Sequence, residues 1–273
     1  MLIYPNARAS QYEIPNGVTT IRQYAFAGCN DLTSVTIPNT VTTIEWNVFE
    51  KCTGLTTISI PSSVTYIGAG SFNNCTELIS ASLSPNMNSI SDWLFNGCTK
   101  LKSIYIPDGI DSIGKFAFKG CTNLSSVTLA GSVSYLNDGA FDSFNITEIH
   151  CLGAIPPRTE AMSLNSIDKS ACKLFVPQGA LLSYWTSSGW WEFVNVVEEA
   201  ASAVKNISND LISLTTENHQ INVRSKELIQ ISVYELSGKK IFEQEIIGEA
   251  QIAVKTGAYL VKVGSQSKRI MVK

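Results

Sequence analysis

The chain has 273 residues, 44% of them hydrophobic and 16% charged, with a net charge of −3. That balance excludes a disordered polymer, and no apolar run is long enough to cross a bilayer as a helix. Residues 1–200 hold ten Lys and Arg against sixteen Asp and Glu, residues 201–273 ten against seven; neither part has the clustered basic face that nucleic acid requires. Met1 to Tyr4 lacks the charged and apolar regions of a signal peptide. The first repeat is already under way by Tyr12, with no cap before it, so the start reads as a mature or cut end.

From there one interval dominates. Phe26, Phe49, Phe72, Phe95, Phe118 and Phe141 are 23 residues apart, and Cys29, Cys52, Cys75, Cys98 and Cys121 keep the same spacing. So do Leu32, Leu55, Leu78, Leu101 and Leu124. A fixed period in the low twenties predicts a leucine-rich-repeat solenoid with a parallel β ladder, each coil burying the apolar stripe of its neighbour.

Within a coil, Val35-Thr36-Ile37 alternates as a short strand with one buried face. Proline ends it at Pro15, Pro38, Pro61 and Pro107, because it cannot donate to a ladder. Val41 and Ile44 fit a helix-like or turn-like pair, and equally the start of a second extended segment. Phe49 and Cys52, three apart, suit one face of a short helical turn. In the last unit Phe141 holds phase, Phe144 stands where the cysteine is expected, and one residue is lost before Ile146 and Ile149.

Ile155-Pro156-Pro157 then breaks the pattern. Leu174-Phe175-Val176-Pro177 reads as a final strand, followed by Tyr184-Trp185 and Trp190-Trp191-Glu192-Phe193. Residues 152–199 are expected to form the C-terminal cap of a solenoid spanning 1–199, with the tryptophans as cap packing rather than a ligand cage.

The unit Ile-Pro-x-x-Val-Thr-x-Ile-(Gly)-x-x-x-Phe-x-x-Cys-Thr-x-Leu-Thr-Ser-Val, read from residues 37–58 and their copies, resembles the BspA-like, or Treponema pallidum-type, bacterial leucine-rich repeats. Val176-Pro177-Gln178-Gly179, Tyr184, Trp190, Trp191 and Phe193 are similar to that family's last repeat. The resemblance covers about residues 12–199. It implies an extracellular or cell-surface bacterial protein, often an adhesin, and names no ligand.

Residues 200–206 are small and polar and read as a linker. Seven alternating runs follow, at 212–214, 221–223, 229–234, 240–245, 252–254, 259–263 and 269–272, with turns at Ser237-Gly238 and Thr256-Gly257. They predict a small all-β sandwich over 207–273, near the lower limit of independent folding. Ile231-Ser232-Val233-Tyr234-Glu235-Leu236-Ser237-Gly238-Lys239-Lys240-Ile241, then Thr256 to Val263, then Lys268 to Lys273, are similar to the C-terminal sorting domain of type IX (Por) secretion. That resemblance implies export across the outer membrane with the tail as an address, and hence an extracellular or outer-membrane-surface location.

Catalysis needs convergent polar groups, and none is apparent. His150 and His219 are the only histidines. No phosphate loop, paired-histidine zinc motif or nucleophile elbow occurs, so no enzyme, cofactor or metal is expected. The five periodic cysteines lack the close pairing of zinc sites and read as buried free thiols. This reading takes their position to be one that also accepts Phe144, hence apolar. Cys151, in the place of Ile37, is also expected in the core.

The expected binding surface is the outward side of the ladder. Thr36, Ser59, Ser82, Tyr105, Thr128 and His150 form one column; Ser34, Thr57, Ser80, Ser103, Ser126 and Glu148 form a second. Lys102, Tyr105 and His150 lie near one end, and Tyr105 is the favoured anchor, since exposed aromatics concentrate binding energy. The first reading is a secreted or surface-displayed, adhesin-like protein whose partner is a host-matrix or bacterial surface protein. The second is a carbohydrate-recognising accessory protein using the same sheet. A third, weaker, places an enzyme site near Trp185 and Trp190.

Overall fold

The computed structural model describes residues 10–199, 212–217, 220–235, 239–263 and 266–272. The chain divides into two compact units, at Asp168/Lys169. The linker expected at 200–206, His219 and the Ser237-Gly238 turn lie outside the described residues.

The first unit is a parallel solenoid. Its strands in chain order are β1 (Gln11–Glu13), β2 (Thr20–Ile21), β3 (Ser34–Thr36), β4 (Thr43–Ile44), β5 (Thr57–Ser59), β6 (Tyr66–Ile67), β7 (Ser80–Ser82), β8 (Ser89–Ile90), β9 (Ser103–Ile106), β10 (Ser112–Ile113), β11 (Ser126–Leu129), β12 (Tyr135–Leu136), β13 (Glu148–Cys151) and β14 (Arg158–Thr159). Odd-numbered strands form the first ladder, with β1–β3, β5–β7 and β9–β11–β13 paired in parallel. Even-numbered strands form a second: β2–β4–β6 and β8–β10–β12–β14. Val41 and Ile44 therefore lead into a second extended segment.

Alternation explains the first ladder. Val35, Ile58, Ile104, Val127 and Ile149 point inward and are buried, and their neighbours on each side point out. After the strand, Pro15, Pro38, Pro61 and Pro107 turn the chain: each carbonyl accepts an N–H three residues on, from Val18, Val41, Val64 and Ile110. The buried ends of the second ladder are Ile21, Ile44, Ile67, Ile90, Ile113 and Leu136.

The phenylalanines stack through the centre, with centroids 5.1–5.5 Å apart from Phe26 to Phe141 and planes within 17°. Their segment is a tight i→i+3 turn, in which the Cys29 N–H donates to the Phe26 carbonyl and later coils repeat the bond. Four of the five cysteines also donate from Sγ to the preceding coil's phenylalanine carbonyl: Cys52 to Phe26 at 3.0 Å, and Cys75, Cys98 and Cys121 to Phe49, Phe72 and Phe95 at 3.1 Å. The thiol thus fills a small apolar space and satisfies a buried acceptor.

One expectation fails here. Phe144 is 78% exposed and does not occupy the cysteine's place. Ser143 beside it is buried, and its hydroxyl donates to the Cys121 carbonyl at 2.7 Å, a different acceptor from the phenylalanine carbonyls that the cysteines reach. The cysteines reach those carbonyls with a thiol donor, and a phenyl ring offers none. Cys151 and Cys172 are buried free thiols, as are the other five. The second ladder continues past Pro157, inside the 152–199 stretch that the sequence assigns to the cap: β14 pairs with β12, Tyr135 opposite Arg158.

The second unit holds β15 (Lys173–Pro177), α1 (Leu181–Trp185), β16 (Asn195–Glu199), β17 (Ile212–Glu217), β18 (Gln220–Glu235), β19 (Lys240–Ala253), β20 (Gly257–Val263) and β21 (Gln266–Val272). β15 and β16 are parallel. Between them Tyr184, Trp185, Trp190 and Phe193 are fully buried, with Trp190 edge-on to Tyr184 at 5.4 Å. β21 pairs antiparallel with β16 and β20, β20 with β18, and β18 with β17 and β19. This is a small antiparallel β domain with a core of Ile221, Val223, Ile231, Val233, Ile252, Tyr259 and Val261. It has five strands where the sequence suggests seven runs. β18 absorbs two of them across a register shift between Ser225 and Ile229, because a bulge bends a strand without ending it. β19 absorbs two more.

Candidate functional site

The first ladder's register brings the expected residues into line. Glu13 lies beside Thr36, Ser59 beside Ser82, and Tyr105 beside Thr128, which lies beside His150. Thr36, Ser59, Ser82, Lys102 and Tyr105 are exposed, Tyr105 by 52%, and Thr128 and His150 are half-buried. The second column is equally regular: Gln11 beside Ser34, Thr57 beside Ser80, and Ser103, Ser126 and Glu148 in a row. Glu148 and His150 meet across the two columns, Oε2 to Nε2 at 3.8 Å, so protonated His150 is charge-paired.

Hydroxyls on the ladder fall into two kinds. Those just before each strand are structural. Thr33, Thr56, Ser125 and Thr147 donate to a carbonyl of the preceding coil, at 2.6–3.3 Å. Those of the outward column are free: among the described residues, Thr36, Ser59, Ser82, Tyr105 and Thr128 engage no side-chain hydrogen-bond partner. They form an uncommitted row of donors and acceptors. The spacing alone does not separate the two kinds, since both are Ser or Thr in phase.

Strand β1 adds Gln11 and Glu13 to the head of the two columns, which the sequence reading begins at Ser34 and Thr36. Glu13, Pro15, Thr36, Pro38 and Thr40 line an open depression at that end. The face is otherwise a sheet and not a pocket. Among the described residues, no group of three His, Cys, Asp or Glu side chains stands ready for a metal, and no helix is long and apolar enough to cross a membrane. Trp185 and Trp190 are buried in packing.

The periodic thiols are not nucleophiles at neutral pH. Burial pushes Cys52 and Cys121 up to about 12, and raises Cys75 and Cys98 well above the ordinary thiol value.

Comparison with known proteins agrees with this architecture. Residues 3–111 and 89–159 match the BspA type leucine rich repeat region, in six copies. Residues 216–273 match the secretion system C-terminal sorting domain. A solved leucine-rich repeat protein of T. pallidum is 29% identical with a TM-score of 0.52, covering 54% of this chain and 71% of its own. A leucine-rich repeat protein from Eubacterium ventriosum is 28% identical with a TM-score of 0.48, covering 53% of this chain and 42% of its own. No curated protein matches the chain.

Proposed function

Because the chain belongs to the BspA-type leucine-rich repeat family and ends in a secretion sorting domain, we propose that it is exported to the bacterial surface or beyond. There it binds a protein partner, adhesin-like, through the outward face of its first ladder. The partner class is a host-matrix protein or another bacterial surface protein. The observation that carries this reading is the column of exposed, unengaged hydroxyls at Thr36, Ser59 and Ser82, leading to Tyr105 with Lys102, Thr128 and His150 around it. A flat row of weak donors around an exposed ring suits an extended protein surface, where an aromatic anchor supplies much of the energy.

Surface plasmon resonance against purified matrix and bacterial surface proteins tests it. The double change Tyr105→Ala and Ser82→Arg abolishes binding to any partner found, and shifts thermal stability little, because exposed changes stay within about 0.5 kcal/mol each. Lys119→Glu, off the ladder, leaves binding intact. A partner indifferent to the double change removes the ladder face from consideration.

A further inference from the structure

A column of left-handed backbone runs down the coils between the second ladder and the buried phenylalanines. Tyr24, Asn47, Gly70, Trp93, Phe116 and Gly139 occupy it at 23-residue intervals, with φ of 59°, 51°, 64°, 60°, 54° and 61°. Glycine adopts this conformation freely, and asparagine tolerates it. For a bulky side chain it costs about 1–2 kcal/mol. The two outer rings gain little burial in return. Tyr24 is 55% exposed and Trp93 42%, while Trp46, one residue ahead of the column, is 57% exposed. Strain kept at exposed rings, where the same coil accepts glycine elsewhere, indicates a role outside folding.

The rings make two platforms. Trp46 lies over Gly68, whose added Cβ would fall 2.3 Å from the indole, and the nearby Asn47 Nδ2 donates to the Tyr24 hydroxyl at 3.2 Å. Two coils on, Trp93 packs on Phe116 with centroids 4.7 Å apart. Phe116 in turn covers Gly139, where a Cβ would fall 2.4 Å from its ring. The small residues Gly68-Ala69-Gly70 stand at the corresponding position of the coil between the platforms. The coils that carry Trp46 and Trp93 are about 10 Å apart, the interval at which a two-fold extended glycan presents the same face of alternate sugars.

The charges alongside are mixed in sign. Arg22 pairs with Glu45 at 2.9 Å and Lys119 with Asp142 at 3.2 Å, and the Asp92 carboxylate accepts the Lys115 backbone N–H at 2.7 Å. A strip so balanced suits an uncharged occupant.

We propose that this strip is a second binding site, separate from the ladder face, for a neutral extended β-linked glycan. The glycan lies across the coils with the C–H faces of its sugars on Trp46 and Trp93. The apolar ring faces supply the stacking surface, and Asn47 and the Tyr24 hydroxyl lie within the strip to meet sugar hydroxyls.

Native affinity electrophoresis of the full chain in gels containing hydroxyethylcellulose, with cellohexaose titrated calorimetrically, tests the proposal. The expected result is retardation of the unmodified chain and binding weaker by at least about tenfold in Trp93→Gly and in Trp46→Ala. Trp93→Gly relieves left-handed strain but gives up the packing on Phe116, so its melting temperature is measured beside its affinity, which separates lost binding from lost folding. The Tyr105→Ala, Ser82→Arg variant is retarded like the unmodified chain, so the two faces fail or succeed independently. The proposal is overturned by an unretarded chain, by equal retardation in polygalacturonate, or by retardation that survives both tryptophan changes. Loss of a protein partner in Trp93→Gly without any glycan retardation overturns it too, and gives the strip to that partner.

Discussion

From Cys52 to Cys121 each periodic cysteine does two things at once: it is buried in the core, and its thiol donates to a carbonyl of the coil before. Deprotonation would remove the donor and bury a charge, which is why burial lifts Cys52 and Cys121 to about 12 from the ordinary 9.0. Below pH 9 folded and unfolded chains both hold these protons, and the stabilisation is whole. Between pH 9 and about 12 the unfolded chain releases protons that the folded chain keeps, so stability falls as pH rises. Urea midpoints are therefore expected to be level up to pH 9 and to decline above it. The decline is shallower in a Cys52→Ser, Cys121→Ser double variant, where serine keeps the donor and does not titrate. An unchanged slope would place the alkaline sensitivity in other groups. The same residues show why this position was only half legible. Cysteine and phenylalanine stand out because one side chain does one buried job in coil after coil. That the thiol also serves as a donor appears only in the bonds to the phenylalanine carbonyls, and Phe144, in phase by spacing, turns outward.

Elements were legible where one face is buried and ambiguous where the backbone alone sets the conformation. Val35, Ile58 and Ile104 announce the first ladder by alternation, and with it the outward column. Val41 and Ile44 suit helix and strand alike, and only pairing between coils decides for β4. The left-handed column is invisible in sequence, because Tyr24, Asn47, Gly70, Trp93, Phe116 and Gly139 share a φ and no side-chain chemistry. In the second unit an element-level contact also lay hidden. Glu198 on β16 is 4% exposed, accepts the Gly179 and Leu181 N–H groups at 3.0 and 3.3 Å, and pairs with Lys262 of β20. No motif links residues 64 apart. Lys262→Ala leaves that carboxylate buried with backbone donors alone, and is expected to cost about 2 kcal/mol in urea denaturation. Adding Glu198→Gln to it restores part of the loss, since no buried charge then remains. A Lys262→Ala chain as stable as the original would mean that water reaches the carboxylate.

At the scale of the whole chain, the sequence places a boundary after Glu199, while packing divides the molecule after Asp168. A fragment ending at Glu199 separates what each boundary requires. Solenoid stability is close to a sum of interfaces between neighbouring coils. The phenylalanine stack from Phe26 to Phe141 and the cysteine bonds draw on nothing beyond residue 168, so those coils are expected to remain folded. The segment 169–199 is in a different position. Without the tail, β16 loses β21 along Asn195, Val196 and Val197, and Glu198 loses Lys262. An open strand edge with a buried, half-answered carboxylate is a weak point. Hydrogen exchange on the fragment should therefore show native protection at the Phe49, Phe72 and Phe95 amides, each bonded to the next coil, and faster exchange along 195–199. Full protection at 195–199 would make Glu199 the true end of a self-sufficient repeat domain. Loss of protection at Phe72 as well would mean that the tail supports the coils themselves, and that the secretion address and the stability of the repeats cannot be separated.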